Sequence, residues 1–231
     1  MGLGRPAMST TPAVVLASAS PARLSVLRAA GIDPVVIVSE VDEPAIERAH
    51  AGEPPADVVA ELAMAKAQAV AARATSRFQD AVVIGCDSML LFGGTLRGKP
   101  GTAENARRQW AEMAGGEGDL LTGHAVLRVN HGEITGSARG TEKTTIRLGS
   151  PTAAEVDAYL ATGEPLQVAG SLTIDGYGGW FVDGIDGDPS SVIGISLPLI
   201  RRLLQQLDLT VTDLWRPTPV ATSASAEGAT P

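Results

Sequence analysis

Residues 81–92, AVVIGCDSMLLF, constrain the fold more than any other stretch of this chain. An apolar run of this length, interrupted only at residues 85–88, is typical of a strand that is buried on both faces. Asp87 lies inside the run. Burial of an unpaired carboxylate is costly, so we expect Asp87 to meet a cation, a metal or a cleft. A structural ion pair is one interpretation, and an active-site carboxylate is the interpretation we favour.

The rest of the chain predicts strands and helices in irregular order. The predicted strands are 14–17, 34–41, 120–129 and 142–149, and the predicted helices are 22–30, 55–74, 105–113, 152–164 and 197–207. Gly31 is expected to end the first helix. Because strands and helices do not alternate strictly, we predict an α/β or α+β mixed sheet, and neither a barrel nor a regular doubly wound sheet.

The two ends of the chain differ from its middle. Residues 1–11 are interpreted as a flexible leader, and residues 216–231, RPTPVATSASAEGATP, predict a disordered tail because they are rich in Pro, Ser, Thr, Ala and Gly. The residues between them contain neither a repeat nor a long linker. We therefore predict one domain over residues 12–215.

Composition argues against several classes of partner. Aromatic residues make up 3% of the chain and the net charge is −8, which disfavours a polynucleotide partner. No apolar run approaches the ~20 residues of a membrane span, and the first residues do not resemble a secretory signal. The single cysteine, Cys86, suits a reducing compartment. We expect a cytoplasmic protein without a membrane partner, in which a few local cations can still hold a small anion.

The segment SASPAR, residues 18–23, combines features of an anion site. Pro21 suits the first turn of a helix, whose free backbone N–H groups attract anions. Ser18 and Ser20 precede it, and Arg23 adds a forked donor that suits phosphate. The alternative is a capped helix with a surface arginine.

Acidic and basic residues elsewhere allow two interpretations each. The carboxylates of SEVDE, residues 39–43, are either hard ligands for Mg²⁺ or Mn²⁺ or a solvated loop. Lys66, in an Ala-rich helix, either faces a cleft or extends to solvent. Lys99 lies between Gly98 and Pro100, on a turn that either aims it at a ligand or leaves it solvated.

Glycines surround Asp175 in residues 168–194. Such a segment lets backbone amides approach a base or a ribose closely, although a chain of tight turns gives the same pattern. His50, His124 and His131 show no metal-ligand spacing. We expect these three histidines to lie at the surface or at strand ends.

Taken in order, these segments resemble the Maf family of nucleoside triphosphate pyrophosphatases from about Val14 to Leu207. The matching stretches are LASASPARLSVLRAAGI, VSEVDE, LAMAKA, GCDSM, GKP, LLTGHAV, YLATGEPLQVAGSLTIDGYGG and IDGDPSSVIGISLPLI. The resemblance implies an elongated α/β mixed sheet flanked by helices, with two lobes around a nucleotide cleft, as in inosine triphosphatases. It also implies hydrolysis of nucleoside triphosphates to monophosphate and pyrophosphate, a divalent cation, a homodimer and a role in cleansing the nucleotide pool.

The resemblance also implies roles for individual residues. Asp87 matches the proton acceptor, and Glu43 matches its acidic partner at the metal. The other matching positions bind phosphate or face the cleft, and they are Ser18, Ser20, Arg23, Lys66 and Lys99.

The chain departs from the family pattern at Ala22, Ser88 and Asp175. In the family, the residue types at the positions of Ser88 and Asp175 vary with the nucleobase that the enzyme prefers. An ionised Asp175 can only accept hydrogen bonds, which favours a donor-rich base edge such as that of guanine or 7-methylguanine.

Two other functions fit part of the pattern. A catalytically silent nucleotide-binding regulator of cell division and septum formation would leave Asp87, Glu43 and the lysines unexplained. A nucleotidyltransferase also needs paired carboxylates and a cleft lysine, and the segment LASASPAR, residues 16–23, fits its first loop loosely.

Overall fold

The computed structural model describes residues 11–215. The predicted tail and all of the predicted leader except its last residue lie outside the described residues. The strands are β1 (Ala13–Leu16), β2 (Val35–Val36), β3 (Asp80–Phe92), β4 (Thr95–Arg97), β5 (Glu117–Asn130), β6 (Glu133–Leu148) and β7 (Val182–Asp186). The helices are α1 (Pro21–Ala29), α2 (Glu43–Ala49), α3 (Pro55–Ala74), α4 (Ala103–Met113), α5 (Ala153–Ala161), α6 (Pro189–Ile193) and α7 (Leu197–Gln205).

The strands form one mixed sheet in the order β2-β1-β3-β5-β6-β7, with β4 beside the far end of β3. β1 runs parallel to β2 and β3, and the remaining pairs are antiparallel. β3 is paired with β5 over nearly its whole length, including residues 85–88. The prediction of an α/β mixed sheet with 81–92 at its centre is confirmed.

One edge of β3 is incompletely covered. β1 pairs with β3 as far as Ile84, and β4 pairs with β3 only from Leu90 onward. Between them, residues 85–89 have a strand partner only in β5, as far as residues 11–215 show. The segment that follows β1 and the segment that follows β4 therefore border the same gap in the sheet, and Asp87 lies within it.

The two faces of β3 pack against different helices. Val83 belongs to a cluster with alanines of α3, whereas Ile84 packs with Leu27 of α1 and Leu203 of α7. Alternation along a strand thus places Asp87 on the α3 face and Ser88 on the opposite face.

The apolar core divides along the long strands. Val83 and Ile84 contribute to clusters in the first half of β3, while Met89 and Leu90 contribute to separate clusters in its second half. This division gives two lobes that share β3, β5 and β6. In residues 11–215 no helix is both long and apolar enough to cross a membrane.

Three predicted elements are shorter in the structure, and one of them, the predicted helix 197–207, ends at Gln205. The predicted strand 34–41 is reduced to β2, because Val36 and Val38 face solvent at the sheet edge and Glu40 has a φ of 57°. The predicted helix 152–164 ends at Ala161, where Thr162 caps it and Gly163 adopts a φ of 77°.

Candidate active site

A buried lysine joins two carboxylates beside the gap in the sheet. Lys66 Nζ lies 2.6 Å from Asp87 Oδ1 and 2.8 Å from Glu43 Oε1. Lys66 and Asp87 are 6% and 7% exposed, so the lysine does not extend to solvent as one interpretation had it. Asp87 meets the cation that its apolar strand requires.

Two glycines allow α3 to approach the sheet closely enough for this contact. A Cβ atom on Gly85 or on Gly123 would lie well under 3.0 Å from backbone atoms of α3. Gly123 is the register partner of Asp87 in β5. Glycine inside a strand often marks such a close backbone approach. The two glycines therefore determine how near the Lys66 ammonium comes to Asp87.

Glu43 reaches the site from the first turn of α2 and not from a loop. Asp42 caps this helix by accepting a hydrogen bond from the N–H of Ala45. Glu47 lies one turn further along, on the same side of the helix. Burial, and then the charges of Asp87 and Glu43, raise the pKa of Glu47. Glu47 is absent from the site residues that the sequence predicts, although its spacing of four from Glu43 is a usable signal.

Glu43 and Asp87 offer oxygen ligands of the kind that Mg²⁺ or Mn²⁺ takes, and they could hold such an ion only together with further ligands. Within residues 11–215, no group of three or more His, Cys, Asp or Glu side chains could hold a metal alone. Glu43 and Asp87 each use one oxygen on Lys66, which leaves the second oxygen of each carboxylate for a cation. Mg²⁺ in phosphate-transfer sites is commonly held by one or two carboxylates and by the substrate phosphates.

Arg23 holds the segment after β1 against the open edge of β3. Its guanidinium donates to Cys86 O at 2.9 Å, to Gly194 O at 2.8 Å and to Ser18 Oγ at 3.1 Å. A further bond joins Nη2 to Ser88 Oγ at 3.2 Å. Four of its five donors thus bind protein groups, so Arg23 is neither a free surface side chain nor an uncommitted phosphate fork.

Ser18 and Ser20 shape the start of α1. Ser20 caps the helix by accepting from the N–H of Arg23, and Ser18 Oγ accepts from the N–H of Ser20. The Ser88 hydroxyl lies between Arg23 Nη2, 3.2 Å away, and Thr122 Oγ1, 3.1 Å away, and the residue is half-buried. Thr122 in turn donates to Ser191 O.

Lys99 borders the far side of the gap. It is exposed and forms no ion pair within the described part of the chain. Its loop is held by two backbone bonds, from Gly170 N to Gly98 O and from Gly101 N to Leu166 O. Asp175 is exposed on a separate loop, and the structure does not bring it into contact with the Lys66 cluster.

The prediction that the histidines lie at the surface or at strand ends is wrong for His124. It is fully buried in the middle of β5, where its Nε2 accepts from the N–H of Ser196 and its Nδ1 bonds to Thr122 O. Burial, and then the charge of Arg23, lower the pKa of His124 to about 3. A neutral ring with both nitrogens bonded is stable in a core, which is why this strand tolerates it.

The chain is similar to named proteins over most of its length. The profile of the Maf-like protein family matches residues 13–207. A nucleoside triphosphate pyrophosphatase of Nocardia farcinica is 59% identical, with 89% of this chain and 98% of that protein covered. Proteins of the same name are 55% identical in Saccharopolyspora erythraea, covering 90% and 98%, and 57% identical in Rhodococcus opacus, covering 87% and 95%.

Proposed function

The chain belongs to the Maf-like protein family, and we propose that the site around Lys66 hydrolyses nucleoside triphosphates to the monophosphate and pyrophosphate. Relatives at 55–59% identity bear the name of this activity and are covered almost completely. The chain is an enzyme of this reaction class. The observation that carries the assignment of the site is the buried ion pair of Lys66 with Asp87, to which the half-exposed Glu43 adds a second carboxylate.

The reaction places charge where the site has cations. Water attacks the α-phosphorus, the bond from that phosphorus to the bridging oxygen breaks, and pyrophosphate leaves with the electron pair. Lys66 has three N–H donors, and its two carboxylate partners leave one for a phosphate oxygen. Lys99, on the far side of the gap, adds a second cation for the leaving group. Asp87 accepts the proton of the attacking water.

The phosphate groups are bound at the start of α1. Pro21 has no N–H and the Arg23 N–H is bonded to Ser20 Oγ, so the donors offered to phosphate oxygens are the Ala22 N–H and the hydroxyl protons of Ser18 and Ser20. Arg23 contributes mainly by fixing this segment to β3, with one N–H left for a phosphate oxygen.

Glu43 and Asp87 would hold the divalent cation, Mg²⁺ or Mn²⁺. When bound, such a cation neutralises phosphate oxygens and acidifies a bound water. Glu47 adds negative charge nearby, which favours a cation at this position.

We further propose that Asp175 selects the base. Its carboxylate accepts hydrogen bonds only, which favours the N1–H and amino group of guanine or 7-methylguanine over uracil and thymine. A role in removing modified nucleotides from a cytoplasmic pool follows, and a homodimer is the proposed assembly. Light scattering on the purified protein tests the dimer.

The test of the function is product analysis with a panel of substrates. Purified protein is incubated with GTP, 7-methyl-GTP, dTTP or UTP and with Mg²⁺ or Mn²⁺, and pyrophosphate and monophosphate are quantified. We expect equal amounts of both products, with the guanine nucleotides preferred. Absence of pyrophosphate with every substrate would favour a silent regulator, and release only with a second acceptor would favour a nucleotidyltransferase.

Asp87→Asn tests whether Asp87 is the proton acceptor of the reaction. The amide keeps the shape of the side chain but loses the charge, so we expect turnover to fall more than tenfold, about 1.4 kcal/mol, with folding preserved. Asp33→Asn is the matched control, since Asp33 forms an exposed pair with Arg28. Turnover of Asp87→Asn above a tenth of the wild-type value would remove Asp87 from the reaction.

A further inference from the structure

Glu164 accepts four hydrogen bonds, three from the loop of residues 173–178 and one from Tyr159 of α5. Its Oε1 accepts from Thr173 Oγ1 at 2.7 Å, from Gly178 N at 2.9 Å and from Tyr159 Oη at 3.0 Å. Its Oε2 accepts from Tyr177 N at 2.9 Å. Neither the reaction nor the binding of phosphate uses this carboxylate.

These bonds close the loop of residues 173–178 at both ends. Thr173 precedes Asp175, and Tyr177 and Gly178 follow it, so one carboxylate joins the two sides of the loop. Asp175 is left at the exposed tip. The position of the tip therefore depends on the bonds that Glu164 makes.

Two glycines allow the loop to lie against the carboxylate. A Cβ on Gly176 would lie under 3.0 Å from the carboxylate atoms of Glu164. A Cβ on Gly178 would come equally close to the Tyr159 hydroxyl and to the backbone of Thr173. The absence of side chains at both positions indicates a loop built to contact this acceptor.

An ionised Glu164 carboxylate is the form that accepts these four hydrogen bonds. Partial burial acts to raise its pKa, but the bonds from Thr173, Gly178, Tyr177 and Tyr159 outweigh it and lower the pKa. The carboxylate is thus ionised at neutral pH and accepts from every donor that faces it.

The segment that follows Glu164 also holds the Lys99 loop. Leu166 O accepts from Gly101 N at 3.1 Å, and Gly170 N donates to Gly98 O at 3.3 Å. Residues 164–171 therefore connect the loop that carries Asp175 with the loop that carries Lys99. The bonds to the Lys99 loop come from the backbone of Leu166 and Gly170, so they do not depend on the Glu164 carboxylate.

We propose that Glu164 is a positioning residue for base selection, which it controls by fixing the loop of residues 173–178. The proposal rests on the proposed function, because it takes Asp175 as the residue that contacts the base. Glu164 touches neither the reacting phosphorus nor the base in this account. Its loss should change which base is preferred while the chemistry at Lys66 and Asp87 continues.

Glu164→Gln is the variant for the test. The amide oxygen can replace Oε1, but the amide NH₂ then faces the N–H of Tyr177, and two donors oppose each other. Glu155→Gln is the matched control, because Glu155 is also a glutamate that accepts backbone and hydroxyl bonds, at the start of α5. Tyr159→Phe removes one of the four donors and should give a smaller effect of the same kind.

Two measurements compare the variants. Calorimetry gives the Kd of 7-methyl-GMP, GMP, dTMP and UMP, which reports base selection without requiring hydrolysis. Hydrogen exchange reports the protection of the amides of Tyr177 and Gly178. We expect Glu164→Gln to reduce the ratio of Kd values between the best and worst bases about fivefold or more and to lose amide protection, with kcat on the best substrate within about twofold of wild type.

Several results would overturn the proposal. An unchanged order and ratio of Kd values in Glu164→Gln would do so, as would unchanged protection of the two amides. An equal loss of affinity for all four bases together with a lower Tm would indicate a merely structural role. Absence of pyrophosphate release by the wild type contradicts the proposed function instead, and the Kd ratios then still decide the role of Glu164.

Discussion

Replacement of Gly123 by alanine should separate Lys66 from Asp87. The new Cβ would lie 2.1 Å from Val59 O in α3, and the ordinary separation of 3.4 Å is restored only if the helix moves outward by about 1.3 Å. The Lys66 Nζ to Asp87 Oδ1 distance of 2.6 Å would then approach about 3.9 Å, beyond hydrogen-bond range. A misplacement of this size can cost about 100-fold in rate.

We expect Gly123→Ala to lower kcat/KM for pyrophosphate release by about 10- to 100-fold. Overpacking should also lower the free energy of unfolding by ~1–3 kcal/mol, measured by urea denaturation. Gly140→Ala is the control, because its new Cβ would meet side-chain atoms and no backbone, at 3.4 Å from Leu199 and 3.9 Å from Leu203. If Gly123→Ala matched Gly140→Ala in both rate and stability, close packing of α3 would not set the geometry of the site.

Two further predictions concern groups beside the site. The ring of His124 stays neutral in the folded protein, where its pKa is about 3, but binds a proton in the unfolded chain below pH 6.5. Stability should therefore fall by about 1.4 kcal/mol between about pH 7.5 and 5.5 relative to His124→Gln, and equal slopes in urea titrations would refute this. Arg23→Lys keeps the charge but not the four bonds, so both it and Arg23→Ala should lose at least about tenfold in kcat/KM. Near wild-type activity of Arg23→Lys would show that charge alone matters there.

Much of the fold follows from local pattern in the sequence. The apolar run around Asp87 identified the central strand, and helical spacing identified α3. The requirement that a buried carboxylate meet a cation correctly anticipated a partner such as Lys66. These features depend on residues close in sequence or on the cost of burial, which a single sequence displays.

Other features depend on contacts between distant residues. Arg23 bonds to Gly194 across 171 positions, and His124 bonds to Ser196 across 72. No local pattern distinguishes such an arginine from a phosphate ligand, or such a histidine from a surface residue. Glu164 is the last residue of the predicted helix 152–164, where no local pattern points to the donors that reach it from residues 173–178.

The glycines of β3 and β5 are visible in the sequence, but the reason for them lies in the tertiary fold. Gly85 appeared as an interruption of the apolar run, although it is paired within a continuous strand. Its role became evident only from the position of α3, whose backbone occupies the space of the missing Cβ. The sequence contained the signal, but the helix that explains it is set by the tertiary fold.

Hydrolysis in ¹⁸O-labelled water shows directly which phosphorus the water attacks. The wild-type protein is given a nucleoside triphosphate and Mg²⁺ or Mn²⁺, and the two products are examined by mass spectrometry, with Asp87→Asn run in parallel. Attack at the α-phosphorus beside Lys66 and Asp87 predicts one labelled oxygen in the monophosphate, unlabelled pyrophosphate, and little of either product from Asp87→Asn. Label in the pyrophosphate, or wild-type rates from Asp87→Asn, would contradict the account.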